Sequence, residues 1–327
     1  MALAAKVFWN PVEHRVRTFW RLTLQALLMV ALVLLGIFLI AEPLTGLHKR
    51  GLFFGSASPD QYNHIINMII GPILTVLVIA SVWIAGRWLD HRKFTDFGLV
   101  LSRDWWTDFF FGLAMGALLM SGVFLYEYLE GWVVITGKLQ ATAGLSLSLA
   151  LLFTLVKDLC VGIYEEVVAR GYQLTNLMEG FQGFVGLGPR GAIGASIIVS
   201  SLIFGVIHGF NDNSSFYSDV NLAFIGVMFA VAYVATGKLG LSIGLHMSWN
   251  FFQGTVFGLA VSGDKERGSF LAVQQGGPHA YTGGVFGPEA GLLGTAAAAL
   301  GILLIILWVR STKHASLAHG AGIVTPL

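Results

Sequence analysis

Charged side chains are scarce in this sequence: Asp, Glu, Lys and Arg make up 11% of its 327 residues, and the formal net charge is only +1. A chain with so small a charge and no dense Lys/Arg cluster does not attract a polyanion, which excludes nucleic acid as a partner. Cysteine is nearly absent as well. Because Cys160 stands alone, an intramolecular disulfide and a cysteine-based zinc knuckle are excluded. The H-E-x-x-H motif of zinc peptidases is also missing.

Long apolar runs fill the sequence instead, and hydrophobic residues reach 55% of the chain. Runs of this length must be helices in lipid, because the hydrocarbon core offers no partner for open backbone groups. We therefore predict an all-α, polytopic membrane helix bundle of about eight transmembrane helices. The predicted spans are Leu22–Ile40, Ile65–Ala85, Phe109–Tyr128, Leu145–Gln173, Ala192–His208, Leu222–Thr236, Leu241–Val261 and Gly291–Val309.

The spans group into three predicted parts. Residues 1–144 hold helices 1–3 behind a cytoplasmic N-terminus, and residues 145–261 hold helices 4–7 as a core. Residues 262–327 comprise an external glycine-rich loop, the last transmembrane helix and a cytoplasmic tail. The loop has too few apolar residues to fold alone.

The distribution of Lys and Arg predicts the orientation. In the eight-span arrangement one side carries Lys6, Arg15, Arg17, Arg21, Arg87, Arg92, Lys93, Arg103, Arg190, Lys238, Arg310 and Lys313. The other side carries Lys49, Arg50, Lys138, Lys265 and Arg267. The positive-inside rule then places both termini in the cytoplasm.

One apolar span contains five ionisable side chains, in "KDLCVGIYEEVVARG". Each charge at the centre of a membrane helix costs about 2.5–3.5 kcal/mol, so some must be paired. Glu166 and Arg170 lie four residues apart on one helix face and should form an ion pair. Glu165 is rotated about 100° around the helix from Glu166, so it remains outside this ion pair and is available for another role. Asp158 lies near the stripe of Glu165 and could support it or simply be a polar group in the same cavity, and Lys157 completes the set.

Two later spans each carry a polar pair at helical spacing. "FGVIH" places Phe204 and His208 on one face, and "HMSWN" does the same for His246 and Asn250. If the chain turns between residues 180 and 189, Glu165 and His208 lie about 22 and 28 Å from the turn, within about one helical turn of each other. His246 begins its own span, so a tilted or re-entrant helix is needed to bring it level.

These side chains suit the activation of water. A carboxylate and a neighbouring imidazole can take a proton from water, while N–H donors from His246 and Asn250 can stabilise an oxyanion. We expect a hydrolase without a serine or cysteine nucleophile. Two alternatives stay open: a proton-coupled transporter, since Asp, Glu and His also form proton relays, and a catalytically silent membrane scaffold or immunity protein.

The order E-E-x-x-x-R, F-x-x-x-H and H-x-x-x-N on successive membrane helices resembles the CPBP family of CAAX proteases and bacteriocin-processing enzymes. That family includes the Ras-converting CAAX endopeptidases and the bacterial Abi-type proteins. The matching stretches are "EEVVARG", "FGVIHG" and "GLHMSWN", and the resemblance covers residues 145–261. The connection "EGFQGFVGLGPRG" between the first two motifs is longer than is usual in the family.

The resemblance implies an intramembrane endopeptidase of glutamate type. The implied catalytic residues are Glu165, His208, His246 and Asn250, and the implied site-bracing or substrate-binding residues are Glu166, Arg170 and Phe204. We expect no metal and no cofactor, although the family has also been described as zinc-dependent. The implied partners are the lipid bilayer and a membrane-associated peptide or protein, with a prenylated CAAX-type substrate suggested by the family name alone.

Overall fold

A computed structural model of the chain describes residues 7–11, 13–53, 57–141, 145–182, 186–266 and 268–312. Eight main helices dominate these residues and confirm the predicted all-α membrane bundle. They are α1 (Thr18–Lys49), α2 (Pro59–Trp88), α3 (Arg103–Leu129), α4 (Leu147–Gln182), α5 (Gly188–His208), α6 (Phe216–Thr236), α7 (Gly240–Asn250, continued by a π-helical segment at Phe251–Val256) and α8 (Leu292–Thr312).

Part of the predicted orientation concerns residues outside these ranges. Lys6, Arg267, Lys313 and the predicted cytoplasmic tail after residue 312 lie outside the described residues. The cytoplasmic location of both termini therefore stays a prediction.

Seven of these helices are long and apolar enough to cross a membrane, and α7 is the exception within the described ranges. The predicted seventh span continued to Val261, but the helix ends at Val256, and Gly258 turns the chain with a φ of +68°. At 1.5 Å per residue α7 rises about 25 Å, less than a hydrocarbon core of about 30 Å. The sixth predicted span is longer than expected, because α6 has 21 residues.

Serine residues begin several helices. The hydroxyl oxygens of Ser58, Ser102 and Ser146 accept hydrogen bonds from the backbone N–H groups three residues later, at the starts of α2, α3 and α4. Such caps satisfy N–H groups that have no partner within the helix, and each typically stabilises a helix by about 1 kcal/mol. The serine at the start of α4 thus helps to define the helix that carries the acidic motif.

Glycines bring α3 and α7 into backbone contact. A Cβ atom added at Gly112 or Gly116 of α3, or at Gly240 or Gly244 of α7, would overlap backbone atoms of the facing helix. Small residues spaced four apart permit such close approach between membrane helices. The four glycines belong to the small-xxx-small pairs of "GLAMG" and "GLSIG", which are typical of closely packed membrane helices.

The close packing buries α7 inside the bundle. It contacts α3, α4 and α6, and every residue from Gly240 to His246 is buried. A helix enclosed by other helices does not have to match the thickness of the bilayer. Enclosure therefore explains how a short helix can carry His246 to the level of the acidic motif.

Two small antiparallel sheets lie at opposite ends of the bundle. β1 (Trp9–Asn10) pairs with β2 (Arg15–Val16), and β3 (Val133–Ala141) pairs with β4 (Gly268–Gln275). The predicted loop after residue 262 is therefore partly ordered, with β4 followed by short helical turns at His279–Thr282, Gly284–Phe286 and Pro288–Ala290. These strands were not predicted from the sequence. The segment folds by packing against the rest of the chain.

An ionic cluster fastens the N-terminal end of α1 to its neighbours. Arg21 is buried and lies 2.7 Å from Asp90, which follows α2. The carboxylate of Glu179, near the end of α4, pairs with Arg21 and Arg15, both at 3.1 Å, and also with Arg92. The cluster holds α1 beside α4, and this placement matters because α1 lines the cavity described next.

Candidate active site

Glu165 lies in the middle of α4 with its carboxylate between two imidazoles. Its Oε2 atom is 3.9 Å from Nε2 of His208 and 4.0 Å from Nε2 of His246. Oε2 is buried and has no hydrogen-bond partner among the described residues, while Oε1 accepts a hydrogen bond from the hydroxyl of Tyr164 at 3.3 Å. Three helices, α4, α5 and α7, thus bring one acid and two imidazoles to a common point.

His208 is the last residue of α5, and the preceding turn orients its ring. Nδ1 lies 2.7 Å from the carbonyl oxygen of Phe204. Because a carbonyl oxygen can only accept, Nδ1 carries the hydrogen, and in the neutral imidazole Nε2 then has a lone pair. This lone pair and the carboxylate of Glu165 are both acceptors, so a donor placed between them, such as water, would satisfy both.

His246 is held by a different carboxylate. Its Nδ1 lies 3.0 Å from Oε1 of Glu166, and its ring stacks on Phe229 with centroids 4.7 Å apart. A carboxylate on one ring nitrogen sets the tautomer and orientation of an imidazole. Nε2 of His246 is consequently directed toward Glu165.

The predicted pair of Glu166 and Arg170 is present, with Nη1 of Arg170 2.8 Å from Oε1 of Glu166. Both side chains are fully buried, at 0% and 1% exposure. Nη2 of Arg170 also donates to the carbonyl of Gly226, and the guanidinium packs over Phe204 at 4.3 Å. Since Glu166 also holds His246, this pair connects α4, α6 and α7.

These side chains face a cavity of about 810 Å³ that is open at one side. Glu165, His208, His246 and Asn250 all line it, together with Phe204. Apolar residues of α1 form another wall: Met29, Val30, Val33 and Leu34. The four residues predicted to be catalytic are therefore brought to one cavity, and their roles are considered below.

Residues 147–252 match the family described as type II CAAX prenyl endopeptidase, Rce1-like. This segment is an Rce1-like domain. The chain is also 24% identical over 253 residues to the uncharacterized protein YyaK of Bacillus subtilis strain 168, an alignment that covers 75% of this chain and 80% of that protein. No solved structure matches the chain significantly.

The Rce1-like domain confirms the resemblance drawn from the three motifs, all of which lie within it. Together with seven helices able to span a membrane, it makes the chain an integral membrane protein with a CAAX-protease domain. The domain lies inside the predicted core of residues 145–261, whose own boundaries stay a prediction.

Zinc was the alternative to a metal-free site, and Glu165, His208 and His246 are the side chains close enough to one another to be tested as its ligands. Two ligands of a tetrahedral zinc ion, each about 2.0–2.1 Å from the metal, lie about 3.4 Å apart. The observed separations of 3.9 and 4.0 Å are wider by roughly half an ångström. Among the described residues no group of three or more His, Cys, Asp or Glu side chains could hold a metal ion. The side chains as placed therefore do not fit zinc.

Ser242 and Cys160 are not placed as nucleophiles. Residues 240–244 have the spacing of the serine-hydrolase motif G-x-S-x-G, but Ser242 is buried inside α7 and donates to the carbonyl of Leu239 at 3.2 Å. Cys160 lines a neighbouring cavity of about 460 Å³ between α2 and α4. Neither residue is among those that line the cavity of Glu165.

Asp158 and Lys157 have partners other than Glu165. Oδ2 of Asp158 is 3.5 Å from the hydroxyl of Thr255, so Asp158 does not support Glu165 as the sequence suggested. The ammonium of Lys157 lies 2.6 Å from a carboxylate oxygen of Glu266. Lys157 still lines the cavity, and its ion pair explains how the apolar span accepts this charge.

Sequence analysis missed several residues around the site. Tyr164 donates to Glu165, and Phe229 stacks on His246 and lies 5.1 Å beneath the guanidinium of Arg170. Tyr164 could have been found, because it directly precedes the acidic pair. Phe229 lies within an apolar helix, where nothing in the local pattern distinguishes it from core residues.

Proposed function

We propose that this chain is an intramembrane endopeptidase in which Glu165 and His208 activate water. The observation that carries this proposal is the position of Oε2 of Glu165 at 3.9 and 4.0 Å from the two imidazole Nε2 atoms. A water oxygen about 2.8 Å from both Oε2 of Glu165 and one of these Nε2 atoms would see the two atoms at an angle of about 90°. This angle is near the H–O–H angle of water. One water can thus bond to Glu165 and to an imidazole together.

In the proposed reaction, Glu165 accepts a proton as the water oxygen bonds to the carbonyl carbon of the peptide. The π electrons of the carbonyl move onto its oxygen. Asn250 donates to this oxyanion, as does His246 when its Nε2 is protonated. The C–N bond then breaks, and the proton passes from Glu165, directly or through His208, to the leaving amine. One water is consumed, and one carboxylic acid and one amine are formed.

Glu166, Arg170 and Phe204 have a bracing role in this proposal. Glu166 holds Nδ1 of His246, and Arg170 holds Glu166 while it packs on Phe204. Fully buried charges keep their positions only when each has a partner. The brace would therefore fix the oxyanion donor relative to the base.

The proposed substrate is a peptide or protein tail attached to the bilayer, including a prenylated CAAX-type peptide. The cavity lies between α1 and α5, where Leu34 and Ile207 line it and are 60% and 59% exposed. Exposed apolar side chains at the cavity's edge fit a lipid-facing entrance. A substrate could then reach Glu165 from the bilayer.

The test uses full-length protein in liposomes with a fluorogenic farnesylated CAAX-type peptide and its unlipidated counterpart. General acid–base groups typically contribute about 10²–10⁴-fold, so Glu165→Gln and His208→Ala should each lower cleavage by at least about 100-fold. Glu130→Gln, an exposed glutamate at the end of α3, is the matched control and should cleave normally. Cleavage at the wild-type rate by both site variants would refute the proposal.

A further inference from the structure

Residues 260–264, here called the cavity strap, follow α7 and lie outside the Rce1-like segment. Val261, Ser262 and Asp264 of the strap line the cavity that contains Glu165 and His208. The strap therefore lies where a peptide bound in the cavity would contact it.

Hydrogen bonds hold the backbone of the strap on several sides. The side chain of Gln253 donates to the carbonyl of Ala260 at 2.5 Å, and the side chain of Asn211 donates to the carbonyl of Ser262 at 3.0 Å. The N–H of Gly263 donates to the carbonyl of Phe286 at 2.9 Å. A wall whose backbone groups are paired in this way is pre-organised and loses little entropy when a ligand binds.

Glu289 makes the central attachment. Its Oε2 accepts two hydrogen bonds from Ser262, from the backbone N–H at 2.7 Å and from the hydroxyl at 2.9 Å. Ser262 has a φ of +48°, a conformation that is uncommon outside glycine and asparagine. The two bonds hold the strap in this conformation, and bonds to a charged acceptor are stronger than neutral ones.

Glu289 lies beside the cavity of the two imidazoles, because it binds Ser262, which lines that cavity. It is only 3% exposed, and burial raises the pKa of its carboxyl group above the usual value. The hydrogen bonds from Ser262, and the imidazoles of His208 and His246 when they are protonated, act on this pKa in the opposite direction. A buried carboxylate next to the site, attached to the cavity wall, is not explained by packing alone.

We propose that Glu289 is a positioning residue of the peptidase: by binding Ser262 it fixes the cavity strap, and the strap binds the substrate chain. This inference rests on the proposed peptidase function. Val261 and Asp264 would present one apolar and one acidic side chain to the peptide. The cavity wall that selects substrates thus comes from a segment beyond the Rce1-like domain.

The test compares KM with kcat for the same farnesylated peptide and full-length protein in liposomes. Glu289→Ala should raise KM about tenfold, which corresponds to about 1.4 kcal/mol of binding free energy. Its kcat per folded enzyme should change less than about threefold, because the catalytic groups remain. Glu289→Gln keeps an oxygen that accepts from Ser262, and should raise KM less.

Glu127→Ala is the matched control. Glu127 is a fully buried glutamate that accepts a hydrogen bond from Gln275 at 2.7 Å, so it also attaches the segment after α7, but it does not line the cavity. We expect this variant to be less stable with an unchanged KM. If Glu289→Ala does not fold, Ser262→Ala removes the hydroxyl bond alone and should still raise KM, by about threefold.

Direct peptide binding separates this inference from the proposed function. In the Glu165→Gln background, adding Glu289→Ala should weaken the Kd of the peptide, measured by fluorescence anisotropy, by the same factor of about ten. Equal Kd values with and without Glu289→Ala would overturn the role of Glu289, whatever the cleavage assay gives. So would a KM that is unchanged in both Glu289→Ala and Ser262→Ala.

Discussion

Arg170→Met removes one charge from the buried pair that braces His246 and keeps a long, unbranched side chain. The side chain of Glu166 is 0% exposed, and its hydrogen-bond partners among the described residues are Arg170 and His246. The substitution leaves a buried carboxylate without its guanidinium. It also removes the guanidinium bond to the carbonyl of Gly226 and the contact with the ring of Phe204.

Removing one partner of a buried ion pair typically destabilises a protein by about 3–5 kcal/mol, because the remaining charge is uncompensated. We expect Arg170→Met to lower the free energy of unfolding by this amount. Adding Glu166→Gln removes the second charge, while the amide oxygen of Gln can still accept from Nδ1 of His246. The double variant should recover about 2 kcal/mol or more, because breaking a pair costs more than removing it.

The free energy of unfolding can be measured by SDS titration in mixed micelles for wild type, both single variants and the double variant. The control is the more accessible pair of Asp104, whose side chain is 52% exposed, and Lys238, 3.4 Å away. Its substitution by Asn and Met should cost less than about 1 kcal/mol. The reasoning fails if Arg170→Met costs no more than this control. It fails equally if the double variant is as unstable as Arg170→Met.

Two further predictions concern helix packing and the base. Gly116→Leu should destabilise the bundle by about 3 kcal/mol or more, because the new side chain would overlap α7. Gly122→Leu is the control on the same helix and should not destabilise it, because a Cβ atom at Gly122 would meet no other atom within 4 Å. Equal unfolding free energies of the two variants would contradict this prediction. Tyr164→Phe removes the 3.3 Å hydrogen bond to Glu165. It should lower kcat about tenfold with little effect on KM; an unchanged kcat in steady-state assays would show that this bond does not assist the base.

Local spacing was enough to predict part of the site. Four residues on a helix bring Glu166 and Arg170 together whatever the rest of the fold does, and the pair is present. Counting residues also placed Glu165 and His208 at similar distances from the turn between α4 and α5, which allowed a contact between them but could not show that it forms. The structure places the two side chains 3.9 Å apart.

Other features depended on contacts between distant residues. His246 reaches the site because glycines let α7 pack deep in the bundle, which its position in the sequence did not show. Glu289 lies in a glycine-rich segment and binds Ser262, 27 residues earlier. Neither helical nor strand periodicity in the sequence relates two positions in such an irregular segment. The strands β3 and β4 were missed for the same reason, because their pairing brings together residues more than 120 positions apart.

The contact between α3 and α7 shows that the proposed catalytic residues depend on a helix outside the Rce1-like segment. Gly112 and Gly116 precede the Rce1-like segment, yet their missing side chains give His246 room to reach its level. A fragment restricted to residues 147–252 would keep every proposed catalytic residue and lose the helix against which α7 is seated. A chimaera that exchanges this segment between relatives should therefore keep the packing of α7 only when α3 is exchanged as well.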